Sequence, residues 1–500
     1  MPQLAEVTFG TWRPDLFGLD SNRLIDVNNA LPDAQDSWAP FPSLAEIGQS
    51  VGAEVRGGIV IRKSDGSTAI YVGTAAKLYR YAGVGTAWTD VTRSSGGDYT
   101  LPSDAFWDFT YYANQIVAVQ GGDAPQVINV DSGTNFAALS SDAPTARRAK
   151  FISGVLVLYD LVSAFASAFN GRSQFVNSGF NDPTFWTTGQ RSSDFRTFLD
   201  GGPIAAITGR TTGLLIQRDI VRQIAPSTGD EIWNIRTIEE KQGTASPYSV
   251  IENRGAVFYY GRDGFVAAGA GSFSQEVGVQ WVDDWFKGTV NLSRVGVIQG
   301  VLDPTRTRYI WLCPSAGNTS NVLDLLVGFD PKVGFFKADI SATCILALET
   351  PATTLGDLGS GGLGYTLATM PAPFGSPVWR GGNLRLGAFT DNNKMAYFAG
   401  DPLEATFKTH RFQPIPGKRS YVAGYRILSD ASDARGTTAA SENPYATLES
   451  GSERQQESSG LLPGAQTGRW HQVTVRIPAG ATWTKIRGLT LDEVRPEGTN

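Results

Sequence analysis

Two histidines, two cysteines and three methionines are all that 500 residues offer for metal or redox chemistry, beside 48 acidic and 42 basic side chains. His410 lies in a charged run with Lys408 and Arg411, and His471 follows Trp470. Neither has a Cys or His at ligand spacing, so packed or surface roles are expected and no metal site. Cys313 and Cys344 make no disulfide framework and fit folding in a reducing compartment. Gly48-Gln49-Ser50-Val51-Gly52 matches the G-x-S-x-G elbow, which needs a strand before it and a helix after it to expose the hydroxyl. Neither is evident, and a glycine-bounded loop is expected. Gly359, Gly361 and Gly364 satisfy G-x-G-x-x-G inside a Pro- and Gly-rich stretch with no βαβ unit to receive a pyrophosphate. Two carboxylates could flank a glycosidic bond, but 48 acids single out no pair. The expectation is a chain with no catalytic residue, no cofactor and no bound metal.

The elements around these residues are short. From Arg56 to Gly400 the chain repeats β-branched or aromatic runs closed by Gly, Asp or Asn, with almost no helical periodicity. In the clearest unit, Ile70 to Val72 leads through Gly73 into Leu78 to Tyr81, and a turn leads on to Trp88. Three strands with a terminal aromatic suit one propeller blade, and looser copies recur every 45 to 50 residues or so. The reading is all-β: a β-propeller of six or seven blades over residues 56–400, or one or more β-sandwiches that the same strand signals would satisfy. Residues 1–55 read as an extended N-terminal arm that threads through or clasps a neighbour. Thr350 to Gly382 reads as a long loop or degenerate blade. Residues 401–500 read as a β-sandwich-like platform in which 429–468, poor in large apolar residues, is an exposed insertion without a core of its own.

Charge narrows the partners. The net charge is −6 and the pI about 5.2, which implies no broad electropositive face for gripping nucleic acid. Arg outnumbers Lys by 31 to 11, a bias toward interfacial ion pairs that hints at assembly. The first nine residues show no secretory signal, and the longest apolar stretch, Gly154 to Phe169, carries Asp160 and is too short to span a bilayer. Cytoplasmic synthesis and a soluble chain are expected.

Two resemblances follow. Asp131-Ser132-Gly133-Thr134-Asn135-Phe136 is similar to an Asp-box, and Arg476-Ile477-Pro478 to the R-I-P motif of sialidase-type propellers. Their order is reversed relative to that family, which leaves a carbohydrate-binding or glycoside-hydrolysing propeller as the alternative function. A second set of motifs covers essentially the whole chain. It comprises Phe9-Gly10-Thr11-Trp12-Arg13-Pro14-Asp15, Asp26 to Asn29, Phe41-Pro42-Ser43, and the run from Arg172 to Trp186 with Asp182 and Pro183. Arg254 to Phe258 and Asp263 to Val266 follow in order, then Phe398 to Gly400, Leu403 to Thr409 with Glu404 and Thr406, Gly468 to His471 with Arg469 and Trp470, Arg476, Trp483 and Gly488. In this order they resemble the tail nozzle or tail hub proteins of short-tailed bacteriophages, the tail tubular protein B and packaged-DNA stabilisation types. Thr409, His410 and Arg411 depart from that pattern.

The resemblance implies a structural virion protein and no enzyme. It would form a ring, commonly a homohexamer, below the head-to-tail adaptor protein. It would continue the DNA channel, help retain the genome and conduct it during ejection, and anchor tail fibre, spike or needle proteins. The implied location is the virion tail, assembled in the bacterial host cytoplasm, with transient sliding contact to double-stranded DNA and no membrane insertion. Trp12, Arg13, Pro14, Asp15, Asp182, Pro183, Trp186, Glu404, Thr406, Arg469, Trp470, Arg476 and Trp483 carry the implied structural or interface roles.

Overall fold

Seven four-stranded antiparallel sheets and two six-stranded sheets account for nearly all the regular structure. The coordinates are a computed structural model, and they describe residues 6–497 apart from 17–18, 20–21, 35, 66, 82–86, 166–169, 228–230 and 350–383. The loop expected at Thr350 to Gly382, with Gly359, Gly361 and Gly364, lies outside the described residues.

Six of the four-stranded sheets are continuous in sequence. Blades 1 to 6 begin with the strands Gly58–Arg62, Asp108–Tyr112, Ala146–Ile152, Ile204–Ile207, Ile251–Asn253 and Gln299–Asp303. Blade 7 takes Cys344–Glu349, Leu384–Phe389 and Met395–Pro402 from the end of the propeller segment and its outer strand from the N-terminal region. Each first strand is innermost, and blade 7 returns to blade 1, where Cys344, Leu348 and Phe389 pack with Ile70 and Val72. The chain is a seven-bladed β-propeller carrying a β-sandwich.

From blade 7 round to blade 5, each junction buries its own apolar cluster, as between Tyr71 of blade 1 and Phe136 of blade 2, while the junctions either side of blade 6 share one cluster with the sandwich core. The innermost strand of each blade has no strand partner on its axial side, and side chains of the preceding blade accept from backbone N–H groups there. Ala149 N donates to Asp108 Oδ2 at 2.9 Å and Phe151 N to Thr110 Oγ1 at 3.3 Å. Ile345 N donates to Gln299 Oε1 at 3.2 Å.

The N-terminal segment runs extended through both domains as β1 (Glu6–Thr8), β2 (Leu24–Asn28), β3 (Ala30–Ala34), β4 (Ser37–Pro40) and β5 (Pro42–Ile47). Every one of these strands pairs within this chain, where a neighbour had been expected as the partner. β1 joins the strand Ile486–Pro496, β2 joins Ala405–Thr409, and β5 closes blade 7 against Met395–Pro402. Strand pairing requires only an exposed edge, and the C-terminal domain and blade 7 both supply one.

The segment 429–468 also departs from expectation. Arg435–Ser441 lies inside a sheet beside Trp470–Ile477, and Leu461–Gly468 pairs with Ser420–Ser429 in the facing sheet. Ala434, Ala439, Ala440 and Leu462 are buried. Residues 442–460, between these strands, are mostly exposed and carry only two two-residue strands, Glu449–Ser450 and Arg454–Gln455.

The sandwich sits against the outer strand of blade 6. Asn29 Nδ2 donates to Glu404 O at 2.8 Å, and Asn29 Oδ1 accepts from Asp339 N at 2.8 Å. Lys337 pairs with Asp26 at 2.8 Å, and Asn28 reaches Asp339.

Candidate functional site

The residues singled out from sequence fall into three places. The first is a clasp on α1 (Asp283–Thr289), a short helix between blades 5 and 6. Its N-cap residue, Val282, has no side chain that can accept from the first N–H groups. Asp15 supplies the acceptor, taking Asp284 N on Oδ2 at 2.9 Å and Trp285 N on Oδ1 at 2.7 Å. Trp12 is fully buried edge-on to Trp285 at 4.8 Å, with Nε1 donating to Ile25 O at 3.3 Å. Arg13 lays its guanidinium 3.5 Å from the Trp281 ring, where burial and then Arg23 lower its pKa. Pro14 turns the chain between the two.

Asp283, at the start of the same helix, is nearly fully buried. Its Oδ1 accepts from Phe265 N at 3.1 Å and its Oδ2 has no hydrogen-bond partner. It is wedged so tightly that a Cβ on Gly264 or Gly278 would fall 2.2 or 2.0 Å from its carboxylate oxygens. Burial pushes its pKa up to about 6, opposed by the Phe265 N–H and Lys287 and reinforced by Asp15 and Glu276. The folded state therefore holds a proton between pH 4 and 6 that the unfolded chain has released, so this carboxyl costs stability increasingly as pH rises through that window and fully above it. Asp283→Asn keeps an acceptor for Phe265 and removes the charge. It is expected to stabilise the chain by about 1–2 kcal/mol at pH 7.5, with the gain vanishing near pH 4. Urea midpoints at the two pH values test this, and an equal effect at both would refute it.

The second place is the turn between the last two strands of blade 3. Asp182 Oδ1 accepts from Thr184 N and Oγ1, Pro183 fills the turn, and Trp186 is buried in the junction with blade 2. The third is the sandwich. Arg476 bridges Glu404 at 2.7 Å and Glu453 at 2.6 Å, and these bonds raise its pKa. Thr406 lies opposite Arg476 in the ladder, Trp470 opposite Ser441, and Trp483 packs edge-on to Phe407 at 6.2 Å. Arg469 is exposed. The fold thus brings Trp12 to Asp15 onto the propeller and Glu404, Thr406, Arg476 and Trp483 into one sandwich, and leaves Asp182 to Trp186 in blade 3.

The chemical motifs resolve into structural roles. Ser50 Oγ donates to Asn392 O at 2.9 Å, clipping β5 to the turn of blade 7, and no helix follows it. Asn129 Oδ1 accepts from Asp131 N and Ser132 N, both at 3.0 Å, so the Asp-box-like stretch closes a turn between the third and fourth strands of blade 2. His471 lies 3.4 Å from both Ser420 Oγ and Tyr425 OH, a Ser–His contact with no sequence signal. All three residues are fully buried between the sheets, and burial lowers the histidine pKa, so the ring is a neutral part of the core. Among the described residues no three His, Cys, Asp or Glu side chains are grouped to hold a metal ion, and no helix is long and apolar enough to cross a membrane.

Sequence reasoning missed the propeller axis. Arg148 of blade 3 stacks its guanidinium on Tyr248 at 4.5 Å, donates to Pro247 O at 3.0 Å and lies 3.6 Å from Asp108. The Tyr248 hydroxyl meets the backbone of Phe106, and the two rings are 4.9 Å apart. These side chains narrow the axis, where residues on or beside the inner strands of blades 1, 2, 3, 6 and 7 line a cavity of about 200 Å³. Burial works against the Arg148 charge, and Asp108 and the neighbouring tyrosines outweigh it and raise its pKa. The available signal was three basic residues, Arg147, Arg148 and Lys150, within the seven-residue strand Ala146–Ile152, because an inner strand carries charge only where it is paired.

No protein-family model and no curated protein matches the chain. Among solved structures it is similar to a fungal alcohol oxidase in complex with copper, at 8% identity over 90% of this chain and 99% of that one, with a TM-score of 0.38. It is also similar to BamB from Moraxella catarrhalis, at 11% identity over 75% and 96% with a TM-score of 0.36. A third likeness is to the extracellular domain of a one-component system from B. thetaiotaomicron, at 13% identity and a TM-score of 0.29, where this chain covers 54% of itself and 39% of that chain's length. At these scores the likenesses carry no argument about function, and the architecture is read from the strand order.

Proposed function

We propose that this chain is a structural subunit of a bacteriophage tail nozzle: a ring, commonly of six copies, beneath the head-to-tail adaptor that continues the DNA channel and carries distal tail parts. The observation that supports this best is what the N-terminal motif does. Trp12, Arg13 and Asp15 lock the segment onto the propeller, and the strands that follow knit propeller and sandwich into one body. A wall subunit that must keep its shape while DNA passes benefits from such stitching. Arg148, Tyr248 and Phe106 narrow the propeller axis to a cavity of about 200 Å³, too small for a duplex, so DNA would run between copies along the ring axis and not through a single propeller. A net negative chain lets DNA slide with few phosphate contacts. Head-to-tail contacts close a ring when the rotation per copy fits, and the Arg-rich composition suits such contacts. Assembly in the host cytoplasm and residence in the virion tail belong to the same proposal.

Negative-stain imaging and sedimentation of the purified chain, alone and with an adaptor ring, test it. Rings with an axial pore are expected. A monomer that ignores the adaptor and releases reducing sugar from glycans would replace this reading with the carbohydrate-active one.

A further inference from the structure

The strap of residues 12–15 brings two carboxylates to the first turn of α1. Asp15 accepts from Asp284 N and Trp285 N, and its own N–H donates to Trp281 O at 3.4 Å, so the strap closes over that turn. Asp283 begins the same turn with one oxygen on Phe265 N and the other buried without a hydrogen-bond partner. The backbones of Gly264 and Gly278 lie so close to these oxygens that the carboxylate has no room to swing away. Lys287 faces it from one turn along the helix, Asp15 from the strap and Glu276 from the outer strand of blade 5. Tyr260 and Asp263 are the other titratable groups that blade 5 places nearby. Acids outnumber the one lysine, so an ionised Asp283 gains no partner and meets mostly like charge.

We infer that Asp283 is a proton switch for the strap: protonated, it lets residues 12–15 close on α1, and ionised, it favours their release. Local opening of the strap and the first helical turn admits water to the unpartnered oxygen and moves Asp15 away from it. β1 and β2, on either side of the strap, stay paired with the sandwich, so the opening is confined to this stretch. Burial raises the closed-state pKa to about 6, against about 4 for a solvated carboxyl. Opening thus grows easier as pH rises from about 4 to about 6 and levels off above, and from pH 5 to pH 7.5 the open fraction should rise about tenfold. The inference goes beyond the nozzle reading and does not depend on it, because strap, helix and switch lie in one chain.

Hydrogen–deuterium exchange of the full chain at pH 5 and pH 7.5, corrected for intrinsic exchange rates, tests it. Protection over residues 9–16 and 281–286 should fall about tenfold at the higher pH, to a level below that of the inner strands of blades 1 to 3. Asp283→Asn keeps an acceptor for Phe265 N and cannot ionise, so its strap should hold the same protection at both pH values. Three results would overturn the inference: no fall in the wild type, the same fall in Asp283→Asn, or a strap as well protected at pH 7.5 as blades 1 to 3. The last would mean that Asp283 is uncovered only when the whole chain unfolds. The wild-type pair of measurements decides the matter even if the variant fails to fold.

Discussion

A chain that begins at residue 56 is expected not to fold. Removing residues 1–55 takes away β5, which pairs with Met395–Pro402 in the register Met395↔Ile47 to Phe398↔Leu44, and so leaves blade 7 with three strands and the propeller unclosed. It also removes Trp12 from its contact with Trp285 on the propeller, and Phe9 and Trp38 from the sandwich core, where Trp38 Nε1 donates to the carbonyls of Phe9 and Gly10 at 3.1 and 3.2 Å. Each large aromatic lost from a core costs about 3–5 kcal/mol, against a total stability of about 5–15 kcal/mol for a typical domain. Far-UV circular dichroism of the truncated chain should show no cooperative melt, or the protein should be insoluble. A truncated chain with a wild-type transition would show that the pairing of β1 to β5 does not hold the fold.

Deleting residues 435–460 is expected to destroy the sandwich, the opposite of what composition suggests. The strand Arg435–Ser441 pairs with Trp470–Ile477 from Arg435↔Arg476 to Ser441↔Trp470. Its loss bares an inner edge and uncovers Leu462 and Val475, both fully buried. Limited proteolysis with mass mapping should find new cleavage throughout 403–497, with blades 1 to 5 still protected. Protection of the C-terminal region equal to wild type would refute the pairing. Removing only 443–453 is the gentler cut. It spares the central strand and loses the bridge from Arg476 to Glu453, a largely exposed contact of about 1 kcal/mol or less.

That contrast shows why one segment misled. Arg435–Ser441 reads Arg-Gly-Thr-Thr-Ala-Ala-Ser, with no large apolar side chain to announce burial. It is inside because its small residues let the facing sheet come close: a Cβ on Gly436 would meet Leu462 Cδ2 at 2.3 Å, and a Cβ on Gly464 would meet Thr438 Cγ2 at 2.5 Å. Periodicity and hydropathy do not register burial by close approach. The blades were legible for the opposite reason. Runs such as Ile70-Tyr71-Val72 and Tyr309 to Leu312 carry their own β-branched and aromatic side chains, bounded by turns, and such runs form strands whatever their partners.

The candidate sites divide along the same line. Asp15 is one carboxylate among many until the fold brings it to Asp284 and Trp285, across a sequence separation of 270 residues at the latter. Lys150 meets Glu252, and Arg148 meets Asp108 and Tyr248, only because successive inner strands converge on one axis. The all-β character, the repeating blade grammar and the scarcity of His, Cys and Met can be read without the fold, since those properties reside in each residue and its near neighbours. It took the folded chain to show that the N-terminal strands pair within it, that 435–441 is interior, and that Arg148 meets Asp108 and Lys150 meets Glu252 at the axis. Those outcomes depend on which distant edges and faces meet, and that is set by the closure of seven blades around one centre, which no local stretch of sequence encodes.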